Sequence, residues 1–414
     1  MHSAQEPIAA TPSRRTAWIM LLALGAAFSL SHAYRTVAAM MANQLQRDFA
    51  LSSQQLGLFA GVFHFSFGGL QLLMGIGIDF QGVRRTILAA FPLTIAGALL
   101  SAFAPQYTLV VLGQALIGVG CAPAFLVCTV FIAKRFPPSQ FASVSGLVMG
   151  LGGLGMLLTG TPLAWVVQVS SWRTAFVLLA AGSALAWVAI FALVREAAPV
   201  RKTDEDSVLA AARKFAALFV MPHTLGIVAL GAVTYAAFIT LRGLWLGPLL
   251  IERYGFSLLQ SGNVALAVSI VSLLGPPVFG KLDPRAAVRR RWIAGFTLAM
   301  AALFALLAFS HDAWAGVAGS LAIGFMTGFV VWQYADVRRA YPEVLTGRAM
   351  AVFTMAMFLG IALMQWITGV VASLAHARQV DPFTAVLLAI ALLLSAGALA
   401  FALLPAPQPA GGHA

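Results

Sequence analysis

Charge is what this sequence has least of. Aspartate, glutamate, lysine and arginine together make up 9% of its 414 residues, whereas an ordinary soluble domain has about 25%. Hydrophobic residues make up 61%, and the mean hydropathy is +0.91. A water-soluble fold of this length needs a charged exterior. The composition therefore excludes a soluble enzyme and a soluble binding domain.

Cysteine and the usual chemical motifs are also scarce. The two cysteines, Cys121 and Cys128, lie in one apolar run, which excludes a disulfide scaffold and a cysteine-based zinc site. The sequence has no nucleotide-binding P-loop, metal-ligand cluster or nucleophile triad. Its longest soluble stretch, 195–222, is too short for an ATPase domain. We therefore expect no enzyme, no ATP-driven pump, no metal and no cofactor.

The basic residues that are present do not form one patch. The net charge is +12, but the lysines and arginines occur in short clusters between long apolar runs. That distribution is typical of a multispanning membrane protein. A nucleic-acid-binding protein would concentrate its basic residues on one face, so we expect no nucleic-acid partner.

The apolar runs are long enough to cross a bilayer, whose hydrocarbon core of about 30 Å requires roughly 20 apolar residues per helix. Twelve such runs predict an all-α membrane protein with twelve transmembrane helices. The first run is too long for a signal peptide, so we expect it to be retained. The predicted spans are 17–42, 53–78, 85–104, 107–133, 141–168, 172–194, 223–250, 258–280, 290–309, 312–336, 346–373 and 383–404.

The basic residues also predict the orientation of the spans. With both termini in the cytoplasm, nineteen lysines and arginines lie on the cytoplasmic side, and only Arg47, Arg173, Arg253 and Arg378 lie outside. The positive-inside rule favours this arrangement. The expected location is a cell inner membrane, with both termini cytoplasmic.

A break in the hydrophobic pattern divides the chain into halves. Residues 195–222 are rich in charge, and the amphipathic stretch 207–220 is expected to lie on the membrane surface. We predict a cytoplasmic N-terminal tail at 1–16, an N-terminal six-helix bundle at 17–194, a cytoplasmic linker at 195–222, a C-terminal six-helix bundle at 223–404 and a cytoplasmic tail at 405–414.

The two halves repeat at an offset near 206 residues. Apolar sequence produces chance matches, so a single match would be weak evidence for a repeat. Four matches at one offset are strong evidence. They predict two pseudo-symmetric bundles, and parallel repeats of this kind build transporters with a site between the halves, near the bilayer midplane. The matched pairs are Tyr34-Arg35 with Leu241-Arg242, 51–57 with 256–262 after a two-residue gap, Ile117-Gly118 with Ile323-Gly324, and 134–137 with 338–342.

The loop after span 2 carries a specific motif, Gly75-Ile-Gly-Ile-Asp79-Phe-Gln-Gly82-Val-Arg84-Arg85. It resembles the signature between the second and third helices of the major facilitator superfamily, although Phe80 stands where that family usually has a basic residue. The resemblance covers essentially the whole chain and implies the major facilitator fold. Asp79 can pair with basic residues and helix N-termini of neighbouring cytoplasmic segments, and this would latch the two bundles in the outward-open state. The alternative is a plain solvated loop. The residues of this predicted latch are Gly75, Asp79, Gly82, Arg84 and Arg85.

Two arginines lie within predicted spans, where a charge costs roughly 2.5–3.5 kcal/mol at the helix centre. Arg35 lies in span 1 and Arg242 in span 7, and the repeat superimposes them. A guanidinium is always ionised and offers a planar fork of donors. We therefore predict that the pair binds an anion from opposite bundles. The alternative is that both side chains extend to the outer interface and only anchor their helices.

An arginine pair in helices 1 and 7 resembles the organophosphate:phosphate antiporters and related organic-anion transporters. Tyr34-Arg35 and the stretch Gly118–Pro123 also look similar to that family. Those phosphate exchangers carry a lysine in helix 2 near the position of Gln71, which is neutral. The smaller positive charge favours a carboxylate over a phosphate ester as the substrate.

Two histidines are candidates for proton coupling, because histidine titrates near neutral pH and no aspartate or glutamate lies deep within a span. His32 lies one turn before Arg35, and His64 lies in span 2. The alternative for each is a neutral histidine satisfied by a hydrogen bond.

Other polar and aromatic residues are candidates for substrate binding, although aromatic residues near span ends also act as interface anchors. The predicted substrate-binding residues besides the arginines are Tyr34, His32, Gln71, Tyr235, Asn263, Trp332, Gln333 and Gln365.

These features predict a secondary active transporter of a small organic anion that works by rocking-bundle alternating access. Its partners would be the anionic substrate and the lipid bilayer, and we expect a monomer. One alternative is an efflux pump for amphipathic drugs or metabolites, with structural arginines; the lack of a negatively charged midplane argues against it. A second alternative is a transporter-like sensor, which would need a cytoplasmic effector domain.

Overall fold

A computed structural model of the chain describes residues 14–196 and 217–406, and in these two segments it is helical without a strand. Twelve of its helices are long and apolar enough to cross a membrane, which confirms the predicted number of spans. In order, spans 1 to 12 are Arg14–Thr36, Ser53–Ile78, Phe80–Ala102, Tyr107–Arg135, Ser143–Val169, Trp172–Leu193, Pro222–Arg253, Leu258–Lys281, Ala287–Phe309, Ala313–Ala340, Leu345–Ala377 and Pro382–Leu403.

The predicted linker and tails fall largely outside the described residues. Span 1 begins at Arg14, slightly before the predicted boundary. Within the predicted linker, Ala217–Val220 form one 3-10 turn that leads into span 7. These are the last four residues of the predicted amphipathic stretch; its residues 207–216 lie outside the part of the chain that the structure describes, and so do residues 407–414 of the predicted C-terminal tail.

Several spans are interrupted near their middle. Breaks of this kind free main-chain groups to bind side chains or ligands. In span 4 the break is explained by Pro123, which has no N–H to continue the helical hydrogen bonds. The interruptions are Val37 after span 1, which continues as Ala38–Phe49, Leu70 in span 2, Ala122-Pro123 in span 4, Thr159-Gly160 in span 5, a π-helical turn Leu241–Trp245 in span 7, and a 3-10 turn Thr327–Phe329 in span 10.

The spans form two six-helix bundles with the same internal packing. In the first bundle span 1 packs on span 5, span 2 on span 4, and span 3 on span 6. In the second bundle the equivalent pairs are spans 7 and 11, spans 8 and 10, and spans 9 and 12. Between the bundles, span 2 packs on span 11 and span 5 on span 8. This arrangement is the predicted pair of pseudo-symmetric bundles.

The repeat extends to local hydrogen bonding. Ser52 caps the N-terminus of span 2 and exchanges hydrogen bonds with Gln55 in a capping box. Ser257 and Gln260 form the same capping box at the start of span 8. Each box satisfies main-chain N–H groups that a helix start leaves free. The sequence match between 51–57 and 256–262 therefore reflects a shared structural role.

The bundles are in contact at one end of the molecule, which we call the sealed end. It carries the short connections between spans 1 and 2, 3 and 4, 5 and 6, 7 and 8, 9 and 10, and 11 and 12. The hydrogen bonds that the described residues make across the interface lie between this end and the middle of the spans. They join Gln54 to Ser373, His64 to Gln365, Thr161 to Asn263, Arg242 to Met156 and Thr159, Arg35 to Tyr235, and Asn43 to Glu252.

The opposite end, the open end, carries the connections with the clusters of basic residues. Here the spans that face each other at the sealed end have separated. A methyl group added at Gly75 of span 2, Gly150 of span 5, Gly280 of span 8 or Gly347 of span 11 would meet no neighbouring atom within 4 Å. The molecule is therefore closed at one end and open at the other, as one state of an alternating-access cycle would be.

Candidate substrate-binding site

Arg35 lies at the end of span 1, where the two bundles meet, and is only 5% exposed. Its guanidinium donates hydrogen bonds to His32 Nε2 and Ser31 Oγ, both at 3.3 Å. The same guanidinium lies over the rings of Phe67 and Phe358, 4.6 and 4.7 Å from their centroids. These rings belong to spans 2 and 11, so one arginine contacts side chains from both bundles.

The remaining surroundings of Arg35 are polar but carry no charge of opposite sign. Tyr235 of span 7 forms a side-chain hydrogen bond with the guanidinium, and Tyr334 of span 10 is an electrostatic neighbour of it. Among the described residues no ion pair involves Arg35, and its Nε is buried without a hydrogen-bond partner. A buried charge in this position has unused capacity to bind an anion.

His32 is placed beside Arg35 as its spacing predicts. Its Nδ1 lies 3.3 Å from the carbonyl oxygen of Phe28, one turn earlier. Because a guanidinium can only donate, Nε2 of His32 must accept from Arg35, and Nδ1 must carry the ring proton. The geometry thus describes a neutral histidine that shares a hydrogen bond with the candidate anion-binding group.

Arg242 is fully buried and lies within the π-helical turn of span 7. Its Nε donates to Ala265 O at 3.0 Å and to Ser269 Oγ at 2.9 Å, both in span 8. One terminal nitrogen donates across the bundle interface to Met156 O at 3.0 Å and to Thr159 Oγ1 at 3.5 Å. The other has no partner among the described residues.

The two arginines therefore have adjacent main chains but different side-chain directions. Gly243 packs against the carbonyl oxygen of Arg35, where an added Cβ would lie 2.9 Å away. The Arg35 side chain extends toward Ser31 and His32, away from the sealed end, whereas Arg242 extends between spans 5 and 8. Neither reaches the outer interface, so the alternative of outward-extended anchors does not describe this geometry.

Other predicted site residues form hydrogen bonds that hold the spans. The Gln71 amide donates to the carbonyl of Ala122 at the break in span 4, at 3.1 Å. His64, 1% exposed, places its Nδ1 3.1 Å from Oε1 of Gln365, across the interface. Asn263 accepts from Thr161 at 2.8 Å, also across the interface. None of these three hydrogen bonds involves the Arg35 guanidinium.

Three further predicted residues point into the interior of a single bundle. The Tyr34 hydroxyl lies 3.2 Å from Ser183 Oγ in the first bundle. Gln333 accepts from Thr234 at 3.0 Å in the second. Trp332 donates to Phe279 O at 2.7 Å and is 2% exposed, among other aromatic rings of that bundle. The structure does not bring these side chains together with Arg35.

The predicted latch segment is bound to its own bundle. Gly82 has φ +82°, and an added Cβ would lie 2.7 Å from the carboxylate of Glu196. That carboxylate accepts from the Arg84 N–H at 2.9 Å and pairs with Lys134 at 3.1 Å. The Arg84 side chain donates to two carbonyls at the end of span 6, while Arg85 is exposed. The side chain of Asp79 lies outside the described part of the chain.

Two aromatic contacts of Arg35, Phe67 and Phe358, are not among the residues that the sequence predicts for the site, whereas its hydrogen-bond partner His32 is. A helical-face argument identifies them, because Phe67 lies one turn before Gln71 and Phe358 two turns before Gln365. Ser31, one turn before Arg35, was also missed.

Comparison with known proteins identifies the family. The sequence profile of the Major Facilitator Superfamily matches residues 18–364. The chain belongs to the Major Facilitator Superfamily. It is thus a multi-pass membrane transporter, as the motif around Asp79 predicts, and not an enzyme.

Within the superfamily, two curated relatives carry substrate names. The chain is 27% identical over 162 residues to the hexuronate transporter of Bacillus subtilis. It is 24% identical over 155 residues to a probable sulfoacetate transporter of Cupriavidus necator. These segments cover 39% and 37% of this chain, and 38% and 36% of the relatives. The match therefore spans less than two fifths of each relative.

Solved structures of the superfamily share the fold at low sequence identity. A point mutant of the nucleoside transporter NupG has a TM-score of 0.75 at 13% identity, covering 94% of this chain and 99% of that one. A D-xylose–proton symporter has 0.73 at 15%, covering 94% and 98%. A bacterial homologue of the human lysosomal transporter Spinster, inward-facing and occupied, has 0.70 at 14%, covering 94% and 96%.

Proposed function

We propose that this protein is a secondary active transporter of a small organic anion and that Arg35 binds the anionic group. The observation that carries the proposal is the environment of Arg35. Its guanidinium is buried, has an unpartnered Nε, and has no ion-pair partner among the described residues. Burying a charge without a counter-charge is unfavourable. An anionic substrate would supply that counter-charge.

The contacts of Arg35 also connect substrate binding to movement of the bundles. Phe67 and Phe358 face the same guanidinium from spans 2 and 11. An anion bound at this position would touch both bundles at once. A substrate that contacts both halves can favour one arrangement of the bundles over the other, as alternating access requires.

A carboxylate is the favoured anionic group. Gln71 is neutral and donates its amide to the main chain of span 4, so it adds no positive charge for a phosphate dianion. The names of the two relatives, hexuronate and sulfoacetate transporter, both denote compounds with a carboxylate. A single guanidinium binds a carboxylate through two parallel hydrogen bonds, which suits a small carboxylate or a related sulfonate.

Energy coupling is proposed to run through His32. Its Nε2 accepts from Arg35, so a proton on Nε2 would break that bond and place two cations side by side. A substrate anion would offset this repulsion. Substrate and proton would therefore favour each other's binding, which is the thermodynamic condition for symport. His64 is less suited, because it lies buried in the sealed interface.

The open end is proposed to face the cytoplasm. It carries the clusters of basic residues, which the positive-inside rule assigns to the cytoplasmic side. The conformation described here would then be inward-open, in a protein of a cell inner membrane with both termini in the cytoplasm. We propose that a monomer is sufficient, because both sides of the site come from one chain.

Counterflow in proteoliposomes tests the proposal. Proteoliposomes that contain the purified protein would be loaded with one unlabelled compound at a time. The panel comprises mono- and dicarboxylates, including a hexuronate and sulfoacetate, as well as phosphate esters and amphipathic cations. We expect exchange of a labelled carboxylate and no exchange in Arg35→Ala. Exchange of phosphate esters alone would contradict the carboxylate assignment. Transport only of amphipathic cations, unaffected by Arg35→Ala, would support a drug efflux pump instead.

A further inference from the structure

We propose that Arg242 is a tether that holds the sealed end closed by capping a broken helix of the opposite bundle. The inference goes beyond substrate binding and rests only on the alternating-access part of the proposed function. It makes Arg242 a positioning residue, which sets the balance between the two arrangements of the bundles.

The receiving structure is the break in span 5. The helix Phe141–Leu158 ends at Thr159, and a second helix begins at Thr161. Gly160 between them has φ −89° and ψ −124° and does not continue the helix. The last turn of the first helix therefore has carbonyl groups without helical partners and the negative end of a helix dipole. A cation at this position is favourable.

Arg242 supplies that cation from the other bundle. One terminal nitrogen donates to Met156 O in the last turn and to Thr159 Oγ1 at the cap. The Nε is held by Ala265 and Ser269 of span 8, which directs the guanidinium across the interface. Because the side chain is fully buried, solvent cannot readily replace these hydrogen bonds.

The same junction reaches the candidate substrate site. Thr159 Oγ1 lies 2.6 Å from Thr36 Oγ1, and Thr36 follows Arg35 in the chain. Gly243, next to Arg242, packs on the carbonyl oxygen of Arg35. Opening the sealed end separates spans 5 and 7, which belong to different bundles, and must break the contacts of Arg242 with span 5. Arg242 thus stabilises the closed arrangement of the sealed end, beside the substrate site, and its contacts with span 5 are lost when the sealed end opens.

The test measures conformation in the absence of substrate. Spin labels on Gln106→Cys and His311→Cys, exposed positions at the sealed end of each bundle, report the distance between the bundles; both native cysteines are buried. A charged hydrogen bond is worth enough to shift an equilibrium about 10- to 150-fold. In Arg242→Ala we expect the ratio of open to closed sealed ends to rise by that factor.

Two variants make the result specific. Asn263→Ala removes another hydrogen bond across the same interface, but an exposed one, and should change the ratio less than threefold. Arg242→Lys should restore part of the closed population, because it keeps the charge but loses the fork. If Arg242→Ala fails to fold, Arg242→Gln, which keeps a neutral donor, provides the same measurement.

An unchanged distance distribution in Arg242→Ala or Arg242→Gln would overturn the tether. Restoration by glutamine as complete as by lysine would also overturn it, because the capping charge would then be irrelevant. Failure of the proposed function is distinguishable, because it appears in substrate exchange by Arg35→Ala, whereas the tether is measured without substrate.

Discussion

Arg35 donates a hydrogen bond to Nε2 of His32, at 3.3 Å, so that this nitrogen can bind a proton only if the bond is broken. The relationship joins the candidate anion-binding group to the candidate proton carrier within one turn of span 1. Of the two candidate histidines, His32 is therefore the better candidate for proton coupling, because His64 is buried against Gln365 in the sealed interface.

The first prediction concerns this histidine. His32→Gln keeps a hydrogen-bonding side chain but cannot be protonated near neutral pH. Accumulation of substrate driven by a pH gradient should be lost, while exchange of substrate without a gradient continues. His64→Gln should keep gradient-driven accumulation. Uptake in proteoliposomes with an imposed pH gradient measures both variants. Accumulation that survives in a variant carrying His32→Gln and His64→Gln together would exclude a histidine relay.

Arg35 is expected to provide much of the substrate affinity. A charged hydrogen bond contributes roughly 1.5–3 kcal/mol, so Arg35→Ala should weaken binding about 10- to 150-fold at 1.4 kcal/mol per decade. Arg35→Lys should restore affinity only partly, because it loses the planar fork. Calorimetry on folded protein measures this. Arg47→Ala, an exposed arginine of the helix Ala38–Phe49, is the control and should bind normally.

Asp79 remains the predicted centre of the latch. If it pairs with a helix terminus or a basic residue of the other bundle when the open end closes, Asp79→Asn should slow turnover about 2- to 30-fold, the range expected for a charge at a helix end. Substrate affinity at the sealed end should be nearly unchanged. Stopped-flow uptake measures turnover, and equal rates in the variant and the wild type would argue against a latch.

Gly247 is expected to be essential for closing the sealed end. A Cβ added there would collide with the carbonyl oxygen of Ala39 in the opposite bundle, and main chain cannot move aside as a side chain can. Overpacking of this kind costs about 1–3 kcal/mol, so Gly247→Ala should raise the ratio of open to closed sealed ends about 5- to 150-fold in the spin-label measurement. Gly280→Ala, in open space, should leave it unchanged.

Trp332 is expected to be structural, contrary to its prediction as a substrate-binding residue. Trp332→Phe keeps a ring but removes the donor to Phe279 O. Phe279 O keeps the main-chain N–H of Leu282 as a donor, so loss of the buried indole hydrogen bond should lower stability by about 0.5–1.5 kcal/mol, while substrate affinity changes less than twofold. Thermal unfolding and calorimetry separate the two effects. A tenfold loss of affinity at unchanged stability would return Trp332 to the binding site.

The internal repeat is more exact in the structure than in the sequence. Arg84 donates to Phe191 O at the end of span 6 and lies over the Phe191 ring. Arg290 makes the same pair of contacts with Phe401 at the end of span 12. The motif at residues 75–85 includes Arg84 and Arg85, whereas the equivalence of Arg290 to Arg84 becomes visible only in these contacts.

The sequence by itself determined the twelve spans, the two repeated bundles and the presence of two intramembrane arginines. These features depend on local quantities: the length of each apolar run, the spacing of repeated residues and the unfavourable free energy of a charge in lipid. The superfamily followed from the spacing of residues 75–85, which is also local.

Only the tertiary structure decided what each polar side chain faces. Arg35 and Arg242 are equivalent in the repeat, yet one lies between Phe67 and Phe358, whereas the other lies in a π-helical turn and caps the broken helix of span 5. Trp332 lies inside one bundle. The direction of a side chain depends on helix breaks and on packing between residues more than a hundred positions apart, and those contacts exist only once the two bundles have come together.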